Sequence, residues 1–536
     1  MITVLTVILV GVLTVGCGRS SVEVSATVAA DVAAVTGFVP QNAILTAAVL
    51  FPPDGNAVSL GAAAPLQSAF RQRTGLDYDH DLKSWLGGDG VAAILPTPEA
   101  PPAYLLALSV ADADRARECL ELLWQRQALA GHPPVLTRID GADAFLPEPD
   151  TVLWPMALVG NRYLILASTE AALRRSLRAA QAPTQSLPYQ PRYRAALSTM
   201  PMPQWGLLHI RLPAAIAAAG LAEPRSIQPQ FQSGLISVTT EPQAIVLHTA
   251  LLGKPLPAAT VQPSAQLDTV PVPVALLPEA VTAVAAGHNL ADWGRGLAKE
   301  LGAYRQLPYP LTQIQQRWSM PLGKAALPIL ETWLTGAYAI ARTGSGDGIL
   351  LVEHTAAAKP LVAKLDHLAE QHGLTVTALT VQEQPVTAWT RLRTRTQDNP
   401  SRNRQGAAQR ETVVETEVVA LHMVYQGYDL WATSIAALAE TLKTTGAHLV
   451  DDSRFQRAVP LKASSWDDFQ DDVVYLNATA LVAQLSGQLP LLDLLGIAAQ
   501  PFLDQLDTIV IDPKQARANG GRVGQRAQVT LRFTSS

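Results

Sequence analysis

Arg391, Arg393, Arg395, Arg402, Arg404 and Arg410 crowd into one otherwise polar stretch, residues 391–411. A guanidinium presents a planar fork of donors that fits carboxylate or phosphate oxygens in pairs. The cluster therefore suits electrostatic contact with an acidic protein or with anionic lipid headgroups. Its plainer reading is a solvated insertion in a hairpin. Asp77, Asp79 and Asp81 alternate as carboxylates of a calcium loop do, but Leu82 stands where that loop needs glycine and Gly88 where it needs a bidentate glutamate. Asp81 is expected instead to cap the helix leading into Trp85. Asp467, Asp468, Asp471 and Asp472 read as a second acidic surface loop.

His354, His367 and His372 come nearest to a histidine cluster, yet a spacing of five straddles a helix face poorly for shared metal ligation. Ser345 has Thr343 where a nucleophile elbow needs its first glycine. The Gly344–Gly348 stretch lacks the Gly-Lys-Ser/Thr ending of a phosphate loop, and reads as a tight hairpin turn. No catalytic, cofactor-binding or metal-ligating residue is assigned from the sequence.

The elements that would carry these groups occur in one order twice. Residues 157–173 and 420–438 match as a strand, a turn, a second strand and a helix start, with Ser168 or Thr169 and Thr433 or Ser434 as caps. Trp85-Leu86-Gly87-Gly88 is echoed by Trp333-Leu334-Thr335-Gly336, each before a hairpin. A helix follows, capped by Asp112 in one half and Thr355 in the other. Leu361, Val362, Leu365 and Leu368 fall at helical spacing in the second. Strands joined through hairpins as often as through helices imply an α+β fold of mainly antiparallel sheets. The organisation expected is a first module at 38–252, a Pro/Ala-rich linker at 253–273, and a second module at 274–536 that contains the 391–411 insertion.

The 536 residues exceed a single ordinary core, and a formal net charge of −5 supplies no basic field for nucleic acid. Residues 1–19 read as a signal peptide or membrane anchor, and 20–37 as a tether. The apolar run Ile2–Val15 is too short to span a bilayer as a helix and fits the core of a secretory signal. Thr14-Val15-Gly16-Cys17 resembles a bacterial lipobox, which would make Cys17 an acylated N-terminus. Leu13 sits one place too early for that motif, and no Lys or Arg precedes the run. A single membrane anchor and a cleaved soluble form therefore stay open. Cys119, on an amphipathic helical stretch, reads as a buried, unreactive thiol.

The proline-led first strand, the Trp-Leu-Gly step, the Val159-Gly160-Asn161…Ala167-Ser168-Thr169 unit and the Ser186-Leu187…Arg192-Tyr193 helix together resemble one bacterial, notably cyanobacterial, family: domain of unknown function 3352. The resemblance covers nearly all of the chain after residue 38. It implies an extracytoplasmic, membrane-anchored protein, facing the periplasm or thylakoid lumen, and it supplies no catalytic residue. The function expected is that of a non-enzymatic envelope-associated binding or scaffold protein, with the membrane and an acidic protein or lipid as partners. The alternatives are an enzyme with its site between the modules and a carrier of an apolar ligand.

Overall fold

A computed structural model of the chain describes residues 34–50, 63–98, 101–148, 151–197, 200, 205–218, 231–241, 243–253, 273–291, 322, 324–402, 408–443, 447–459, 473–478, 505–514 and 524–534. Residues 1–33, read above as signal or anchor and tether, most of the linker and the acidic loop at 467–472 lie outside them.

The first ten strands are β1 (Leu45–Leu50), β2 (Leu86–Leu95), β3 (Ala103–Val110), β4 (Val135–Ile139), β5 (Ala142–Leu146), β6 (Met156–Val159), β7 (Tyr163–Ala167), β8 (Gly206–Arg211), β9 (Phe231–Glu241) and β10 (Ala244–Gly253). The next ten are β11 (Val281–Gly287), β12 (Tyr338–Thr343), β13 (Gly348–Glu353), β14 (Thr375–Val381), β15 (Gln384–Arg402), β16 (Ala408–Tyr425), β17 (Tyr428–Ala432), β18 (Val473–Asn477), β19 (Leu506–Lys514) and β20 (Gly524–Phe533). Every pairing is antiparallel. Across the sheet β1 to β10 lie in the order 4-5-6-7-3-2-1-8-9-10. β11 to β20 repeat it as 14-15-16-17-13-12-11-18-19-20. β10 pairs with β20, from Ala244↔Arg532 to Leu252↔Gly524, and joins the two sets into one twenty-stranded sheet. The fold is thus the mostly antiparallel α+β arrangement expected.

Helices cover both faces. α1 (Ala63–Thr74) and α2 (Ala113–Leu129) lie toward one, and α3 (Glu170–Gln181) with α4 (Pro191–Leu197) toward the other; the short α5 (Leu212–Ala218) follows β8. In the second half, α6 (Leu327–Trp333) and α7 (Ala358–Gln371) correspond to the first pair, and α8 (Ile435–Thr441) and α9 (Ser453–Ala458) to the second. Strand alternation feeds both cores. On β7, Ile165 and Ala167 join Leu173 and Leu177 of α3, while Leu164 and Leu166 join Leu120 and Leu123 of α2. Val35 and Thr36, read from sequence as tether, are buried, and Val35 belongs to the first of these cores.

The cap assignments separate cleanly. Thr169 and Ser434 accept from Ala172 and Ala437 and cap their helices. Ser168 and Thr433 instead accept from the backbone of Tyr104 and Gly348, tying β7 to β3 and β17 to β13. Asp112 caps α2 as expected. Thr355 does not cap α7: that helix begins after Ala357, and Thr355 contributes only its carbonyl, to Ala358. Asp77, not Asp81, caps the turn over residues 78–82, while Asp81 accepts from the Asp77 backbone and faces Arg126. Carboxylates spent on backbone donors and arginine are not arranged for calcium. Gly336 is required by close approach, since a Cβ there would stand 2.7 Å from Glu353 Oε2. The side chain of Ser109 crowds Gly87 in the same way.

Candidate functional site

The two halves differ most at β5–β6 and β15–β16. β5 and β6 are short. β15 runs for 19 residues and β16 for 18, far beyond the ends of their neighbours. β14 pairs with β15 only as far as Thr375↔Thr390, and β17 with β16 only as far as Leu421↔Ala432. Past these points, among the described residues, the two long strands pair only with each other, from Arg391↔Glu417 to Arg402↔Ala408. At roughly 3.4 Å per residue, this free ribbon reaches about 40 Å from its root.

The arginine segment is therefore a strand, and its alternation Arg391-Leu392-Arg393-Thr394-Arg395-Thr396 has the two-residue period of one. Arg391, Arg393 and Arg395 take register positions on one face, opposite Glu417, Glu415 and Val413. Arg391 Nε and Arg393 Nε both reach Glu417 Oε2, at 2.6 and 2.8 Å, so two guanidiniums share one carboxylate. This neighbour holds the Arg391 pKa above its ordinary value. The opposite face carries Thr390, Leu392, Thr394 and, across the strand, Val414, Thr416 and Val418. Leu392 is 74% exposed and Val414 61%. Arg402 ends β15 opposite Ala408, while Arg404 lies outside the described residues.

Two carboxylates, the partly buried Asp366 and the buried Asp429, fix the root of this arm. Asp366 on α7 accepts from Trp389 Nε1 of β15 at 2.7 Å and meets His422 Nε2 of β16 at 2.8 Å. Asp429 on β17 accepts from Trp333 Nε1 at the end of α6 at 2.9 Å and meets His354 Nδ1 at 2.7 Å. Trp431 lies between the two nodes, stacked on His422 with ring centroids 4.3 Å apart and edge-on to Trp389. The register of the first half places apolar Leu164 and Leu166 on β7 where Asp429 and Trp431 stand on β17. The nodes thus accompany the arm. Spacing along the chain does not disclose them, since Asp366 lies 23 residues from Trp389 and 56 from His422.

The histidines considered together from sequence are dispersed. His354 belongs to the Asp429 node, His367 faces Glu370 on the exposed side of α7, and His372 ends that helix. Among the described residues no group of His, Cys, Asp or Glu could hold a metal ion. The Asp366–His422 pair has the orienting half of a hydrolytic constellation, but the same carboxylate oxygen also takes the Trp389 indole and the imidazole ring packs on Trp431, with no hydroxyl or thiol in the set. Ser345 bonds Asp347 and Thr343 inside its hairpin turn. Cys119 is half-buried, donates to Asp81 O at 3.2 Å, and burial pushes its thiol pKa up, away from reactivity.

An open groove of about 460 Å³ runs between α6 and α7, lined by Ile329, Pro360, Ala363 and Leu368 with Lys364 and His367 at its side. No helix among the described residues is long and apolar enough to cross a membrane. Cys17 lies outside the described residues.

The chain is similar in structure to TP0453. Crystal form IV of that protein matches at 12% identity and a TM-score of 0.26, over 40% of this chain and 79% of the other. Crystal form I matches at 12% identity and 0.27, over 42% and 80%. No curated protein matches the chain. The model of the family described as "Protein of unknown function (DUF3352)" matches residues 1–523, nearly the whole sequence, and the chain belongs to that family.

Proposed function

We propose that the chain is a non-enzymatic binding or scaffold protein, held outside the cytoplasm by its N-terminal segment, that presents the β15–β16 arm to an acidic partner. In this reading it consists of two copies of one α+β module, at 38–252 and 274–536. The repeated strand order supports the duplication. The observation that carries the functional reading is the arm itself: a ribbon unpaired on both sides, with Leu392 and Val414 exposed and arginines in register on one face. Large aliphatic side chains held in water just beyond the root of the free ribbon suit contact with a partner. The buried nodes at Asp366 and Asp429 support binding over catalysis, because each ends in tryptophan packing.

Photo-crosslinking in native envelopes tests the docking claim. A photoreactive phenylalanine analogue at Leu392 or Val414 is expected to give a discrete adduct, and the same group at the still more exposed Leu129 of the first half is expected to give none. Adducts from Leu129 alone would remove the arm from the function. For the anchor, Cys17→Ser is expected to shift the protein from the membrane to the soluble fraction; unchanged fractionation would show that lipidation at Cys17 is not the attachment.

A further inference from the structure

We propose that the arm binds by adding a strand: an extended protein segment that alternates acidic with β-branched residues pairs along the free edge of β15. The inference rests on the reading of the arm as the docking element and names its partner's chemistry.

Three observations carry it. First, among the described residues β15 has an open backbone ladder from Arg391 to Asn399, bounded by register breaks at Trp389/Thr390 and Asn399/Arg402. Natural sheet edges are normally blunted by proline, a bulge or charged side chains; neither proline nor a bulge interrupts this stretch, and its charges are three arginines and Asp398. An open edge with uninterrupted donors and acceptors is a template for an added strand. Second, the edge is the cationic one. Arg391, Arg393 and Arg395 follow each other on one face of β15, and the first two already share Glu417, so part of their charge is unmatched. A strand added outside β15 places alternate side chains beside these arginines, where carboxylates are favoured. Third, the intervening positions, Leu392 and Thr394, fall on the face whose cross-strand neighbours are Val414 and Thr416. Valine, isoleucine or threonine on the added strand would extend that face.

The chain's own β16 already shows the pattern. Glu411-Thr412-Val413-Val414-Glu415-Thr416-Glu417 is the segment that pairs with β15 on its other side. A second copy cannot supply it in the same register, since residues 418–425 of its β16 would have to enter the space that β14 fills beside Gln384–Thr390. The partner is a different chain.

The test uses the full-length protein and a fluorescent eight-residue peptide alternating glutamate with valine or threonine, read by anisotropy. Two further peptides carry N-methyl groups on one or the other alternate set of backbone nitrogens, which removes donors from one edge only. The unmodified peptide is expected to bind, one methylated form to bind at least tenfold more weakly, and the other to stay within about threefold. Exchange of glutamate for lysine is expected to abolish binding. Equal binding of both methylated forms would reduce the contact to charge alone and overturn strand addition. Binding of anionic vesicles without binding of the peptide would overturn it in favour of a lipid surface. If the peptide fails in every form while crosslinks persist from Leu392, strand addition is wrong and the arm remains the docking element.

Discussion

Single side chains in this molecule act mostly by satisfying buried polar atoms. Asp366 takes the indole of Trp389 and the imidazole of His422. Asp366→Leu leaves both unpaired, and each orphaned buried group costs on the order of 1–3 kcal/mol. Denaturant unfolding should show a loss of about 2–4 kcal/mol, with increased amide exchange at Trp389 and His422, whereas a change under 0.5 kcal/mol would mean that the node does not hold the arm. His209 is a second case. Its ring is 1% exposed, neither nitrogen has a partner, and Thr46 opposite it on β1 has an unpartnered hydroxyl. Burial, with help from Arg211, lowers its pKa from 6.5 to about 4. The folded value lies below the unfolded one, so the neutral ring's contribution is complete above pH 6.5 and is lost as the pH falls toward 4. At about 1.4 kcal/mol per pH unit the loss approaches 3 kcal/mol. His209→Leu should flatten the stability profile in that window, and an unaltered profile would contradict the assignment.

Local elements were the most legible part of the sequence. The caps at Asp112 and Thr169 and the hairpin at Gly344–Gly348 follow from side chains that serve their own backbone within a few residues. Thr355 misled because a hydroxyl near a helix start is only a candidate cap; the chain turns through Ala357 instead. The arm was legible in part. Its arginines stood out by composition, but read as a loop insertion they hid a period of two that continues in the glutamates of β16. The buried nodes were not legible, because register between strands, not spacing along the chain, brings Trp389, His422 and Trp431 together. At the end of β15 remote from the arm, Gln382 and Glu383 form a two-residue turn with φ of 47° and 63°. A left-handed residue without glycine costs roughly 1–2 kcal/mol. Glu383→Gly is expected to stabilise the protein by about 1 kcal/mol in denaturant unfolding, and destabilisation would show that the exposed Glu383 side chain matters more than its backbone.

At the scale of the whole molecule, the sheet joins its halves through one seam. β10 and β20 close equivalent hairpins, with β9 and β19, and pair antiparallel with each other, as equivalent strands do across an isologous dimer. A fragment of residues 34–253 would expose the edge of β10, which ought to find a second β10. Light scattering of that fragment should report a dimer at micromolar concentration, whereas a monomer would show that the seam depends on features particular to β20. The strand order of β1 to β10 recurs in β11 to β20, while the arm stands on the second set alone. This arm is the proposed docking element. The most direct measurement of that role compares binding to native envelope fractions by two proteins in a Cys17→Ser background, one intact and one in which an Asn-Gly turn joins Arg391 to Glu417. Binding at least tenfold weaker for the shortened chain, with its unfolding midpoint unchanged, is the predicted result; equal binding by the two would contradict the claim.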